Sequence, residues 1–375
     1  MEGWIERHAE AIAARAPREL EALVAVSSPS GDVHGAEEAA AVVAALAPEE
    51  AIPERVPCSS PAHAPDLLLR LRGRGTTRVL LLGHVDTVVA AGEHRALVRE
   101  GDRLVGSGAV DMKGGDVLAL GVLRALAGRL DDLAEAALLL VCDEEWRVDP
   151  FVHAERFAGW DACLCFEAGQ LVGDDEAVVV KRKAAGTVEV HAEGLSAHSG
   201  SAPDKGANAL LALARAADAI ASCHEPEGAQ RLSAVPTILR AGDAFNVVPD
   251  RGELIADVRA DASAAFDDVI AAVPAEVGGA RLETRLVRLW PGMDSRAHTA
   301  PLLERVSALL GRRVVGGARG GASDASHIAS SIPLTIDGLG PRGGGAHAAH
   351  EYVLASSLRP RAEIALAVAD AVLSA

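Results

Sequence analysis

The sequence predicts an α/β protein with a smaller α+β domain inserted into it. Three observations carry that expectation. Apolar runs of strand length interleave with helical stretches over the first half of the chain. The middle switches to apolar–polar alternation, and the last segment returns to the first pattern.

The opening "MEGWIERHAEAIAARAPREL" reads as a charged amphipathic helix, not as a basic start followed by an apolar core, so no signal peptide is expected. "DLLLRLR" (66–72) and "RVLLLGHV" (78–85) are short apolar strands bounded by Gly and Thr. "KGGDVLALGVLRALAGRL" (113–130) has helical periodicity, and "EAALLLVC" (135–142) is a further buried strand. Continuous apolar strands of this kind belong to a sheet covered on both faces. By contrast, "GTVEVHAE" (186–193), "ELIADVRA" (253–260) and "RLETRLVR" (281–288) alternate with period two, as strands buried on one face do. The helical stretches 208–222 and 262–273 lie between them, which gives a strand–helix–strand–strand–helix–strand, ferredoxin-like order. The expected division is 1–183 and 291–375 for the larger domain and 184–290 for the insert, with "LWPGMD" (289–294) as the return. Helix "APLLERVSALLG", strand "PLTIDG" and a last helix complete the larger domain.

A chain of 375 residues that is 49% apolar is long enough for two packed domains. The formal net charge of −17 leaves no cationic surplus for phosphates, and 3% aromatics offer few stacking platforms, so no nucleic acid partner is expected. No uncharged apolar run approaches the ~18 residues of a membrane span. Cys58, Cys142, Cys163, Cys165 and Cys223 are an odd, scattered set, read as reduced thiols of a cytoplasmic protein.

Metal-ligating residue types recur where strands end. His84 closes one strand, Asp111 sits in "GSGAVDMKGG", Glu144 and Glu145 follow "AALLLVCD", Glu167 ends "DACLCFE", and His347 lies in "GGGAHAAHEYV". Ligands bind beyond the carboxyl ends of strands in open α/β sheets. Each residue taken alone has a plain structural reading, as a strand-end His, a turn Asp or a solvated helix start. The set carries the expectation. "GLGPRG" (338–343) matches a dinucleotide fingerprint only formally, because Pro341 interrupts it and no helix follows. Cys163 and Cys165 read as buried packing.

Seven motifs in order, "GHVDTV", "DMKGG", "DEE", "GLSAHSGSAPDKGANA", "FNVVPDRGELIADVR", "GGASDAS" and "AHAAHEYV", resemble the di-zinc family of glutamate carboxypeptidase, acetylornithine deacetylase, succinyl-diaminopimelate desuccinylase and aminoacylase. The resemblance runs from about residue 15 to the end and lies closest to the glutamate carboxypeptidase-like branch. It implies a zinc-peptidase-like α/β catalytic domain with an inserted ferredoxin-like lid and dimerisation domain. It also implies two Zn²⁺, with Co²⁺ or Mn²⁺ suited to the same ligands. Asp111 would bridge the metals, with His84 and Glu167 on one side and Glu145 and His347 on the other. Asp86 would hold His84, Glu144 would be the general base, and His198 would act across a homodimer interface. The Asp111–Met112 peptide falls where the family has a cis bond. Two Zn²⁺ would bring +4 against −3 from three ligand carboxylates with neutral imidazoles, and a bridging hydroxide would bring the site to the neutrality that suits a low-dielectric pocket.

Asn246, Arg259 and Ser323 lie in motifs from which the family recruits substrate contacts. Arg259 is either a bidentate carboxylate ligand or one half of a structural ion pair. "GGASDAS" either offers backbone N–H groups or caps a helix at Ser323 or Asp324. The basic run Lys181, Arg182 and Lys183 favours an acidic substrate or is a solvated strand end. The sequence departs from the pattern in three places: "WRVDPF" replaces a residue and Gly-Ser after "DEE", His350 stands where Asp is common and rivals His347, and no Pro-Phe precedes the second motif. The implied activity is hydrolysis of an amide in a small N-acyl amino acid or dipeptide. Deacylation of the acetylornithine or succinyl-diaminopimelate type, or a non-catalytic binding protein on the same fold, are the alternatives.

Overall fold

The structure, a computed structural model, describes residues 2–374. The chain separates into two compact units. One holds the chain up to Lys181, then Asp294–Arg319 and the chain from Ser323 onward, and the other holds Arg182–Met293 with Gly320–Ala322.

The larger unit opens with α1 (Glu2–Val24), whose buried Ile5, Ile12, Ala16, Leu20 and Leu23 recur at helical spacing. Strands β1 (Ile52–Val56), β2 (Asp66–Arg72) and β3 (Thr77–His84) follow, then α2 (Gly114–Ala127), β4 (Leu133–Val141) and β5 (Ala162–Cys165). Val79 to Leu82 of β3 and Ala136 to Val141 of β4 are wholly buried, as continuous apolar runs require in a sheet covered on both faces.

The smaller unit is built from β6 (Ala184–Glu193), α3 (Ala209–Ser222), β7 (Ser233–Ala241), β8 (Arg251–Ala260), α4 (Ala265–Ala272) and β9 (Ala280–Trp290). Its antiparallel sheet runs β7-β8-β6-β9, the ferredoxin-like arrangement. Burial alternates along β6 and β8, and Val188, Val190, Leu254 and Val258 pack with Leu213, Ile220, Phe266 and Val269 of the helices. Asn208 caps α3, its side chain accepting from the Leu211 N–H at 3.1 Å.

Back in the larger unit come α5 (Asp324–Ile328), β10 (Thr335–Ile336) and α6 (Leu358–Leu373). The main sheet has the order β1-β2-β4-β3-β5-β10. β4, β3, β5 and β10 run parallel to one another, while β2 is antiparallel to both β1 and β4. The helices α1, α2 and α6 share one apolar core with it. Among the described residues no helix is long and apolar enough to cross a membrane.

Candidate metal centre

Strand direction assembles the centre. β4, β3 and β5 lie side by side and point the same way, so the residues that follow them emerge at one edge. His84 ends β3, Glu144 and Glu145 come just after β4, and Glu167 comes just after β5. Asp111 enters from the loop before α2, and His347 from the glycine-rich loop before the last helix.

The ligand atoms of His84, Asp111 and Glu167 all lie within 4.8 Å of one another, and so do those of Asp111, Glu145 and His347. Asp111 belongs to both groups. Its Oδ1 lies 3.2 Å from His84 Nε2, and its Oδ2 lies 3.1 Å from His347 Nε2. Glu167 Oε1 is 3.7 Å from His84 Nε2, and Glu145 Oε2 is 3.3 Å from His347 Nε2. The Asp111–Met112 peptide is cis, and His347 sits at φ 64°, an uncommon conformation for a residue with a side chain. His350 is exposed and belongs to neither group.

This donor set fits a pair of cations. Both ring nitrogens of His84 face oxygen acceptors, and a neutral imidazole has one N–H for the two of them. Something positive must stand at Nε2, either a proton or a metal. Burial opposes a charge on His84, but Asp111 and Asp86 pull its protonation well above the usual range. Asp111 is part-buried and desolvation raises its carboxyl, yet hydrogen bonds from His347 and His84 hold it well below the ordinary value. His347 is pushed up to about 10, chiefly by Asp111 and Glu145. Glu145 Oε1 is buried with no hydrogen-bond partner. Bound metal ions would satisfy all of these groups together, since the donor set is the nitrogen and oxygen kind that such ions accept.

Asp86 does more than orient His84. The ring Nδ1 lies 3.0 Å from the Asp86 backbone carbonyl and 3.4 Å from its Oδ1. The two carboxylate oxygens accept the N–H groups of Glu144 and Glu145, each at 3.1 Å. One buried side chain thus ties the His84 strand end to the turn after β4. Burial, reinforced by the carboxylates of Asp324, Glu167 and Glu145, pushes Glu144 well up, with His84 opposing.

Sequence reasoning passed over Glu351 as a site residue. It is buried, and its Oε1 accepts the N–H groups of Val110 (2.8 Å) and Asp111 (2.9 Å) while Oε2 accepts that of Gly108 (2.9 Å). The loop that delivers Asp111 hangs on this carboxylate. The only signal in the sequence was an acidic residue four places after His347 in "HAAHE".

The remaining expected residues belong to neither ligand group. Ser323 is buried and precedes α5, but its hydroxyl donates to Asp337 Oδ2 at 2.6 Å and does not cap the helix. In the smaller unit His198 is exposed, with Nδ1 accepting the Gly200 N–H at 3.1 Å. Asn246 runs beside it, its carbonyl accepting the Ser199 N–H at 3.0 Å. Arg259 pairs with Asp257, Nε to Oδ2 at 2.9 Å, and its Nη1 reaches the Gly320 carbonyl at 3.4 Å. Arg182 is buried and donates to the Gly321 carbonyl at 2.8 Å, so the basic run is not simply a solvated strand end.

The profile of Peptidase family M20/M25/M40 matches residues 80–371. Carboxypeptidase G2 of Pseudomonas sp. (strain RS-16) is 29% identical over 310 residues, 78% of this chain and 73% of that protein. Aminopeptidase PepT of Bacillus cereus ATCC 10987 aligns with a TM-score of 0.78 over 96% of this chain and 98% of its own, at 20% identity. A dinuclear metal binding peptidase of the M20 family from Bacillus subtilis aligns with a TM-score of 0.68 over 96% and 99%, at 16% identity. At these identities the two solved structures bear on the fold alone.

Proposed function

The chain belongs to peptidase family M20/M25/M40, and we propose that it cleaves the amide bond of a small N-acyl amino acid or dipeptide with two bound divalent cations. The observation that carries the reading is Asp111 shared between two ligand groups, with the buried Glu144 on the adjoining turn. Zinc is the proposed metal, held by His84, Asp111 and Glu167 and by Asp111, Glu145 and His347. When bound, such metals polarise a carbonyl and acidify water.

The protein's own groups move the proton. Glu144 takes it at a carboxylate oxygen from the attacking water and delivers it to the nitrogen of the leaving amine. The raised proton affinity that burial gives Glu144 suits it to hold the proton between those two events. Asp86 keeps the Nδ1 proton of His84 directed at itself, so that Nε2 would be the nitrogen left to hold a metal. The Nδ1 of His198 is engaged by the Gly200 N–H, which leaves Nε2–H as a donor for the oxyanion of the tetrahedral intermediate.

His198 would serve the active site of a partner protomer. Support for a homodimer comes from the smaller unit, where edge strand β7 exposes Val235, Ile238 and Leu239 and α3 exposes Leu210 and Leu211. Arg259, Asn246 and Ser323 are the proposed substrate contacts, with Arg259 for a carboxylate. The name of the carboxypeptidase relative favours release of a C-terminal amino acid. The free cysteines fit a reducing cytoplasm.

The test is release of free amino acid from N-acylglutamates, N-acetylornithine and simple dipeptides by zinc- or cobalt-loaded protein. Turnover abolished by a chelator and restored by metal supports the proposal, and the preferred substrate selects the branch. Silence across the panel with metal bound would refute the substrate class, and a chain that binds no metal would refute the reading as a whole.

A further inference from the structure

The turn bearing Glu144 and Glu145 runs into "WRVDPF", in which Arg147 is completely buried. Its Nη1 donates to Asp143 Oδ1 at 3.2 Å, and its Nη2 donates to Asp324 Oδ1. The guanidinium carbon lies over the Phe151 ring, 4.6 Å from the centroid. Asp143 is also completely buried, and its Oδ2 accepts the Ser60 N–H at 2.9 Å. Asp324 begins α5, 177 residues along the chain from Arg147.

The two glutamates are therefore clamped twice. Asp86 holds their backbone N–H groups, and Arg147 closes the turn through the side chain of Asp143 while anchoring it to α5. We propose that Arg147 is a positioning residue: by bridging Asp143 and Asp324 it fixes the turn that carries Glu145, and so sets the geometry of the Asp111–Glu145–His347 site. Only a planar, forked cation reaches two carboxylates in one fixed pose, and a lysine ammonium is a single point on a flexible stem. Loss of the guanidinium also leaves Asp143 and Asp324 as uncompensated buried charges beside Glu144, which favours displacement of the turn. The His84–Asp111–Glu167 group takes no ligand from this turn. The effect should accordingly fall on one metal and spare the other.

This inference rests on the metal-binding reading of the centre and not on its reaction. The measurement is Co²⁺ binding to the metal-stripped full-length chain, by competition with a chromogenic chelator, for wild type, Arg147→Lys and Asp324→Ala. The expected result is two bound metals in each variant, with one step weakened about tenfold or more and the other within about twofold of wild type. Two unchanged steps, or two steps weakened alike in both variants, would overturn it. Should Arg147→Lys not yield folded protein, Asp324→Ala decides by the same criterion. A wild-type chain that binds no metal fails the functional proposal and takes this inference with it, whereas metal bound without hydrolysis fails only the reaction.

Discussion

Glu351 is four residues from His347 in sequence, yet its work is done on the loop that carries Asp111, some 240 residues earlier. Three backbone N–H groups converge on its carboxylate. Burial nevertheless wins, and raises the carboxyl from 4.5 to about 6. A group raised in this way keeps its proton in the folded chain after the unfolded chain has lost it. Its stabilising contribution is complete below pH 4.5 and is lost as the pH climbs through about 6. In metal-free protein, Glu351→Gln should flatten the fall of unfolding free energy across that window, as read by denaturant titration at several pH values. Parallel curves for wild type and variant would contradict the assignment. The five candidate ligands that the structure brings together were legible because each follows an apolar strand or lies in a glycine-rich loop. Glu351 and Arg147 were not, since the partners of Glu351 and the Asp324 partner of Arg147 are remote in sequence, and a charged residue in a loop looks solvated until the fold buries it.

At the scale of elements, the N-terminal end of α2 presses on the end of β5. A Cβ at Gly115 would stand 1.8 Å from the Phe166 carbonyl oxygen, one residue before Glu167. Gly115→Ala must push helix from strand, at a cost of about 1–3 kcal/mol for overpacking. The denaturation midpoint should fall accordingly, and an unchanged midpoint would show that the contact yields freely. The parallel core strands were legible from apolar runs bounded by turn residues. Strand β7 was not identified by its own pattern. Pro236 interrupts it, the register shifts between Pro236 and Ile238, and much of its apolar surface is exposed, so the alternation that marks β6 and β8 is lost. Proline is tolerated there because β7 is an edge strand.

For the whole molecule, the change from continuous to alternating apolar pattern revealed an inserted unit. It could not reveal that Gly320–Ala322, far downstream, packs with that unit. The carbonyls of Gly320 and Gly321 receive Arg259 and Arg182, contacts that no periodicity encodes. If the exposed face of β7 is the dimer interface, Leu239→Lys should give monomers by sedimentation that still bind two metals but turn over poorly, for want of the partner's His198. A fully active monomer would remove His198 from the mechanism.

The division of labour between the adjacent glutamates underlies the whole account, and Glu144→Gln tests it most directly, by counting bound metal and measuring amide hydrolysis on the same preparation. The account predicts two metals per chain with turnover reduced by about 10²–10⁴-fold, the usual contribution of a general base. Loss of a metal would mean that Glu144 is the ligand and Glu145 the base, and retained turnover would mean that the base lies elsewhere.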